Sequence, residues 1–233
     1  ADAYCREKSV MKNTSIQAVI FDMDGLIVDS EPYWKQAEHK VFSALGCEVT
    51  AQDQQHTASL TTQAVTEYWF AKSPWNPQFK QDAEQAVIEE VESLLKTQCQ
   101  AKPGFFEALS LCRQHDLKIG LASNAPLRLC HAVTQSLNCA EAFDTIMSSE
   151  QVKFGKPAPD VYLQTLKALN VTADLTLALE DSITGVRAAK SAGLKVIGIP
   201  SEAHYYEPLK HLADELLTTL FELRSHHLNG HIL

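Results

Sequence analysis

The first strongly apolar run of the chain ends in two carboxylates. The stretch AVIFDMDGLIVDSE, residues 18 to 31, carries Asp22 and Asp24 with only Met23 between them, and Gly25 follows at once. Ionised carboxylates beside an apolar core are costly to desolvate unless a cation or hydrogen-bond donors offset their charge. Gly25 allows the chain to turn sharply after them. The spacing therefore predicts that Asp22 and Asp24 lie together at a turn and take part in chemistry.

Polar side chains also follow three later apolar runs. They are Ser123 and Asn124 after LKIGLA, Lys156 in a Gly-Lys-Pro loop, and Glu180 and Asp181 after LTLAL. Ligands of open α/β sheets bind beyond the carboxyl ends of the strands, so all these residues are candidates for one site. Four carboxylates beside one lysine would repel each other unless a cation joined them, and an oxygen-only set suits Mg²⁺ better than Zn²⁺. The predicted metal ligands are Asp22, Asp24, Glu180 and Asp181.

The elements that must position these residues are short apolar runs that alternate with helical patterns. Strand candidates cover residues 17–22, 117–122, 144–149, 175–179 and 195–199. Continuous apolar strands that alternate with helices are typical of a parallel sheet covered on both faces. The sequence therefore predicts an α/β fold with a Rossmann-like parallel sheet as its core.

Residues 30–101 interrupt this alternation, because no convincing strand lies within them. Apolar residues recur there at helical spacing, and prolines separate the patterns. The predicted helices cover approximately residues 34–45, 61–72 and 78–97. We therefore predict an all-helical cap domain inserted after the first strand.

The domain bounds follow from these patterns. The α/β core is expected to comprise residues 16–29 and 102–225, the cap residues 30–101, and two tails residues 1–15 and 226–233. Residues 1–10 are polar and precede Met11, so we interpret them as a cloning remnant. His226, His227 and His231 lie past the last predicted core element, where we expect a mobile tail rather than a metal site.

Composition limits the classes of function. The chain has 233 residues, 45% of them hydrophobic, which is enough for a sizeable core, and its net charge is −9. That charge disfavours nucleic acid and anionic membranes as partners. The six cysteines form no C-x-x-C pair, and no apolar run reaches membrane-spanning length. We therefore expect free thiols and a cytoplasmic location.

Four motifs together resemble a known family. D-x-D-G at 22–25, S-N at 123–124, G-K-P at 155–157 and E-D-S at 180–182 occur in this order at strand ends or adjoining loops. The arrangement is similar to the haloacid dehalogenase superfamily, in particular to phosphatases with a helical cap after the first strand. More narrowly, FDMDGLIVDSEPYW and YWFAKSPWN resemble stretches of bacterial hexitol and 2-deoxyglucose-6-phosphate phosphatases, in the β-phosphoglucomutase-like subgroup.

The resemblance implies a role for each motif residue. Asp22 would be the nucleophile that forms an aspartyl-phosphate, and Asp24 the general acid and then the general base. Phosphate oxygens would be bound by Ser123, Asn124 and Lys156, and the Mg²⁺ site would comprise Asp22, the Asp24 carbonyl, Asp181 and Glu180. Glu31 lies near the junction with the cap, where a substrate contact is expected.

The expected function is Mg²⁺-dependent hydrolysis of a small phosphorylated metabolite, a sugar or sugar-alcohol phosphate, by a monomer. The alternative is a β-phosphoglucomutase-like mutase, but those enzymes usually carry a His where this chain has Trp34. Haloacid dehalogenases proper typically lack an acid at the position of Asp24, and response-regulator receivers have no cap. In the cap, Ser59 and Thr61 stand where sugar phosphatases commonly show Gly and Arg, which leaves the substrate open.

Overall fold

A six-stranded sheet forms the centre of the molecule. The computed structural model describes residues 15–58 and 60–229. The strands are β1 (Ala18–Phe21), β2 (Lys118–Ser123), β3 (Thr145–Ser148), β4 (Thr176–Glu180), β5 (Lys195–Gly198) and β6 (Glu215–Leu216). They lie in the order β3-β2-β1-β4-β5-β6, and every neighbouring pair is parallel. The predicted α/β fold with a parallel sheet is confirmed.

Strand β1 contacts a separate apolar cluster on each face of the sheet. Val19 and Phe21 belong to one cluster, Ala18 and Ile20 to the other, and all four are fully buried. Phe21 packs edge-on against Phe105, with ring centroids 5.9 Å apart. Because both faces are covered, no position within the strand is polar, and polar residues begin only where the strand ends.

Four α-helices follow β1. They are α1 (Glu31–Ala44), α2 (Ala51–Thr57), α3 (Thr62–Lys72) and α4 (Lys80–Gln98). Three of them match predicted helices, but α2 was not predicted, because its sequence AQDQQHT has no apolar stripe. Its start is marked only by a capping box between Thr50 and Asp53. The cap bounds of 30–101 stay a prediction.

A buried carboxylate joins three of these helices. Glu38 of α1 accepts a hydrogen bond from Trp69 Nε1 of α3 at 2.6 Å and another from Thr57 Oγ1 of α2 at 2.7 Å. Trp69 is fully buried and stacks on Phe42, with centroids 5.9 Å apart. Burial raises the pKa of Glu38, although its two donors act in the opposite direction. These contacts fix α1, α2 and α3 relative to each other.

The remaining helices alternate with strands β2 to β6. They are α5 (Phe105–Gln114), α6 (Leu127–Ser136), α7 (Asp160–Leu169), α8 (Ile183–Ser191), α9 (Tyr206–Leu212) and α10 (Ser225–Leu228). Val91 of α4 and Val133 of α6 belong to the same apolar cluster, so the helical insert and one face of the sheet share a continuous core. No helix in the described ranges is both long and apolar enough to cross a lipid bilayer.

The prediction of a tail from residue 226 is wrong for residues 226–229. Leu228 is buried, and its carbonyl accepts a hydrogen bond from Ile16 N at 3.2 Å. His227 is also buried; its Nδ1 accepts from Arg224 N at 2.8 Å, and its Nε2 lies 3.1 Å from Glu215 Oε1. The sequence lacked a helical pattern here because α10 has only four residues. Of the predicted tails, residues 1–14 and 230–233 lie outside the described residues.

Candidate active site

Three adjacent strands bring the candidate residues to one edge of the sheet. In the sheet, β1 lies between β2 and β4, and the three end at equivalent levels. The ladder continues one residue beyond β1, since Asp22 N donates to Leu179 O at 3.0 Å. Parallel strands place their carboxyl ends on the same edge, so polar residues far apart in sequence meet there.

Lys156 lies at the centre of this edge. Its Nζ donates to Asp22 Oδ1 at 2.6 Å, to Glu180 Oε1 at 2.7 Å and to Ala122 O at 2.9 Å. Its side chain is only 4% exposed. Burial lowers the pKa of Lys156, but Asp22 and Glu180 together outweigh it and hold the pKa above its ordinary value. Lys156 therefore stays charged and neutralises part of the acid cluster.

The loop that carries Lys156 is held by Asn124. The Oδ1 atom of Asn124 accepts from Lys156 N at 2.8 Å, and its Nδ2 donates to Lys156 O at 3.1 Å. Ser149 Oγ in turn donates to the carbonyl of Asn124 at 2.8 Å. The amide of Asn124 thus positions the lysine loop, and its predicted contact with substrate stays a prediction.

Ser123 lies directly beside the carbonyl that binds Lys156. Its side chain is buried, and its Oγ accepts from Ala125 N at 3.0 Å. Ser123 is not the N-cap of α6, because Pro126 occupies that position. The hydroxyl therefore lies at the end of β2 rather than at a helix start.

Three of the four predicted metal ligands meet. Asp22, Glu180 and Asp181 each offer a carboxylate oxygen, and these oxygens lie within 4.8 Å of one another. All three residues are buried, and Glu180 Oε2 has no hydrogen-bond partner among the described residues. Burial, followed by the charge of Asp22, raises the pKa of Asp181 well above its ordinary value. A buried, oxygen-only set with an unsatisfied acceptor fits a hard divalent cation such as Mg²⁺.

Two glycines make room for this cluster. A Cβ on Gly185 would lie 1.9 Å from Glu180 Oε2, and a Cβ on Gly25 would lie 2.0 Å from Asp181 Oδ2. Gly25 also has a φ of +87°, which residues with a side chain rarely adopt. The backbone therefore approaches the carboxylates more closely than any other residue would allow.

The side chain of Asp24 is hydrogen-bonded to the start of the first helix of the insert. Its Oδ1 accepts a hydrogen bond from Ser30 Oγ, at the start of α1. Burial raises the pKa of Asp24 to about 6; the Ser30 hydrogen bond lowers it, and the charge of Asp22 raises it. The Asp24 carboxylate is not among the three grouped carboxylates, and the predicted contact of its backbone carbonyl with the metal stays a prediction. A pKa near neutrality instead suits a group that both donates and accepts a proton.

One residue of the site carried no sequence signal. Tyr162 of α7 is fully buried and donates to Glu180 Oε1. Lys156 Nζ also lies 5.2 Å from the centroid of its ring. Glu31, in contrast, is the first residue of α1, exposed and paired with Lys35 at 2.6 Å, so its predicted substrate contact stays a prediction.

Comparison with known proteins decides the family. The sequence of residues 19–199 matches the family model of the haloacid dehalogenase-like hydrolases. The chain belongs to this family. It is 37% identical over 216 residues to hexitol phosphatase B of Escherichia coli K12, covering 92% of this chain and 97% of that protein. The expectation of a haloacid dehalogenase-like hydrolytic enzyme is confirmed.

Two further family members are similar over most of the chain. The phosphorylated carbohydrates phosphatase of Thermotoga maritima is 31% identical, covering 78% of this chain and 84% of that protein. The crystal structure of CbbY from Rhodobacter sphaeroides in complex with phosphate matches with a TM-score of 0.77 at 26% identity, covering 89% and 96% of the two chains. The fold described above is therefore the fold of this hydrolase family.

Proposed function

We propose that this member of the family is a Mg²⁺-dependent phosphomonoesterase that acts on a small sugar or sugar-alcohol phosphate through an aspartyl-phosphate. The observation that carries the proposal is the Asp22 carboxylate, held 2.6 Å from Lys156 and grouped with Glu180 and Asp181. The naming of two similar proteins as phosphatases of hexitols and of phosphorylated carbohydrates supports the substrate class.

The proposed first step transfers the phosphoryl group to Asp22. An oxygen of Asp22 attacks phosphorus, and the bond from phosphorus to the sugar oxygen breaks as the new bond forms. Protonated Asp24 gives its proton to the leaving oxygen, so the sugar departs as a neutral alcohol. The pKa of about 6 leaves a useful fraction of Asp24 protonated.

The proposed second step restores the enzyme. Asp24, now ionised, takes a proton from a water molecule, and the water oxygen bonds to phosphorus as the bond from Asp22 to phosphorus breaks. Inorganic phosphate leaves, and Asp22 is again a carboxylate. Throughout, Lys156 offsets negative charge on Asp22 and on the phosphoryl group, and Ser123 binds a phosphate oxygen at the end of β2.

Asp22, Glu180 and Asp181 would hold the Mg²⁺ ion. When bound, it supplies positive charge beside the transferring phosphoryl group and offsets the mutual repulsion of the carboxylates. Asp24 would contribute its backbone carbonyl rather than its carboxylate. Glu31, at the start of the helical insert, would contact the sugar portion.

A panel of sugar, sugar-alcohol and small-metabolite phosphates tests this proposal. We expect phosphate release with Mg²⁺ from hexose or hexitol 6-phosphates, and none in EDTA. Trp34 cannot exchange a proton at neutral pH as His can, so hydrolysis should outpace transfer back to a sugar. A coupled assay of β-glucose 1-phosphate provides the contrast. Isomerisation faster than phosphate release would identify a mutase, and release in EDTA would exclude the metal.

A further inference from the structure

We propose that Lys102 is a positioning residue, which ties the return linker of the helical insert to the turn that carries Asp24. The proposal rests on the proposed function, because it assigns a purpose to the placement of the Asp24 acid. Lys102 belongs to none of the motifs discussed above, and it lies 77 residues from its partner Gly25.

The turn after β1 is closed by its own backbone. Met23 O accepts hydrogen bonds from Ile27 N at 2.8 Å and Val28 N at 3.3 Å, and Gly25 N donates to Val28 O at 2.7 Å. Asp24 lies inside this closed turn, so its carboxylate moves with the turn. The carbonyls of Gly25 and Ile27 are not used by these bonds and remain available to another part of the chain.

Lys102 supplies a donor to each of these two carbonyls. Its backbone N–H donates to Ile27 O at 2.7 Å, and its Nζ donates to Gly25 O at 2.6 Å. The second bond is charge-assisted and partly buried, which makes it one of the stronger types of hydrogen bond. A shorter or uncharged side chain at residue 102 would leave Gly25 O without this donor.

Lys102 also occupies the place where the insert rejoins the sheet domain. Helix α4 ends at Gln98, and α5 begins at Phe105, whose N–H donates to Lys102 O at 3.2 Å. The chain enters the insert through residues 28–30 and leaves it through residues 99–104. Lys102 therefore bonds the exit linker to the turn just before the entry linker, and a movement of the helices is transmitted to the turn that holds Asp24.

The Lys102 bond holds the turn where it lies against the acid cluster. A Cβ on Gly25 would lie 2.0 Å from Asp181 Oδ2, so the backbone of the turn rests against the acid cluster. Loss of the Lys102 bond should therefore displace Asp24 relative to Asp22 and Asp181. Misplacement of a reacting group by about 1 Å can lower a rate about a hundredfold.

Three variants test the inference. Lys102→Met removes the ammonium and keeps most of the stem, and Lys102→Arg keeps a charged donor. Lys118→Met is the matched control, because Lys118 Nζ makes the same kind of bond, 2.7 Å to Leu169 O, away from the site. Thermal melts of all three report whether a loss of activity is a loss of fold.

The decisive kinetic readout is the dependence on leaving group. Transfer of the phosphoryl group to Asp22 needs the Asp24 proton when the leaving group is a sugar, but not when it is an activated aryl alcohol, whereas hydrolysis of the aspartyl-phosphate needs Asp24 in both cases. The rate of this first transfer, measured by rapid quench, is therefore compared for the two esters. In Lys102→Met we expect the transfer from the sugar phosphate to slow about tenfold to a hundredfold, with KM changed less, and the transfer from the aryl phosphate to stay within about threefold. Lys102→Arg should recover most of the loss, and Lys118→Met should keep the wild-type ratio. An unchanged ratio in Lys102→Met, or an equal loss in Lys118→Met, would overturn the inference.

Amide hydrogen exchange provides a readout that does not depend on activity. Peptides covering residues 22–30 should exchange faster in Lys102→Met than in wild type or Lys118→Met. If wild type releases no phosphate from any ester, the proposed function fails. The exchange result alone then decides whether Lys102 restrains the turn. If wild type is active but Lys102→Met exchanges like wild type, only the role of Lys102 is refuted.

Discussion

Charge is unevenly balanced among the side chains of the site. Lys156 pairs with Asp22 and Glu180, whereas no basic side chain in the described part of the chain pairs with Asp181. One oxygen of Glu180 is also left without a partner there. The single lysine therefore cannot neutralise the cluster alone, which is the physical reason to expect a divalent cation.

This imbalance predicts how stability depends on pH in EDTA. Burial raises the pKa of Asp24 from 3.8 to about 6, and that of Asp181 also rises, so the folded state binds protons that the unfolded state releases. Stability is then fully present below the unfolded pKa and is lost as pH rises through the folded pKa. We expect the metal-free protein to melt at a higher temperature near about pH 5 than near about pH 7.5.

Two comparisons check the pH prediction. Asp24→Asn should remove part of the difference between the two melting temperatures, because Asn does not titrate. Added Mg²⁺ should raise the melting temperature more at the higher pH, where protons no longer compete for the carboxylates. A metal-free protein that is equally stable at both pH values would refute the assignment.

At the residue scale, the sequence predicted which groups meet but not how every side chain points. The carboxyl ends of parallel strands must share an edge of the sheet. For this reason the sequence could predict the grouping of Asp22, Lys156, Glu180 and Asp181. The orientation of Asp24 depends on the turn geometry, which no local pattern encodes. Tyr162 lies within an ordinary helical pattern in α7, and only the packing of that helix on the sheet brings it to Glu180.

Helix α8 illustrates how an element is adapted to the site. Alanine normally stabilises a helix interior by about 1 kcal/mol relative to glycine. At Gly185 a Cβ would instead lie 1.9 Å from Glu180 Oε2, so we expect Gly185→Ala to destabilise the protein by about 1–3 kcal/mol. Activity should fall as well, because Glu180 must move. Chemical denaturation and phosphate release measure the two effects.

The exposed Ser191, at the end of the same helix, offers a matched control. Ser191→Ala should leave both stability and activity close to wild type, since it adds no atom near the acids. A Gly185→Ala variant that is more stable than wild type and fully active would contradict the crowding argument.

Short or polar elements account for the parts of the fold that the sequence did not reveal. Strand β6 has two residues and α10 has four, and both are too short for hydrophobic periodicity to emerge. Helix α2 has a polar sequence, and only its capping box indicated a helix start. The longer strands and helices were predicted because both faces of the sheet and one side of each helix are buried.

Helix α10 is hydrogen-bonded to the segment just before strand β1. Leu228 O accepts from Ile16 N, and His227 links Arg224 N to Glu215 of β6. The Nδ1 atom of His227 accepts a backbone proton, so Nε2 carries its own proton and donates it to Glu215. The pairing of His227 with Glu215 therefore links α10 to β6.

Removal of this link should weaken the whole fold. We expect His227→Ala to lower the free energy of unfolding by about 1–3 kcal/mol, because it removes a buried side chain and leaves the partly buried Glu215 carboxylate without its donor. The adjacent His226 is exposed, so His226→Ala is the control and should change stability much less. Denaturant titrations compare the two variants, and equal effects would contradict the proposed link.

The central claim is that Asp22 carries the phosphoryl group, and rapid acid quench tests it most directly. The Asp24→Asn variant with Mg²⁺ and an aryl phosphate labelled in its phosphoryl group should load quickly but hydrolyse slowly, since the group that activates water is absent. The account predicts label on the peptide that contains Asp22, in proportion to enzyme, and none in EDTA or in Asp22→Asn. Release of phosphate by wild type with no label ever found on Asp22, or undiminished turnover by Asp22→Asn, would contradict it.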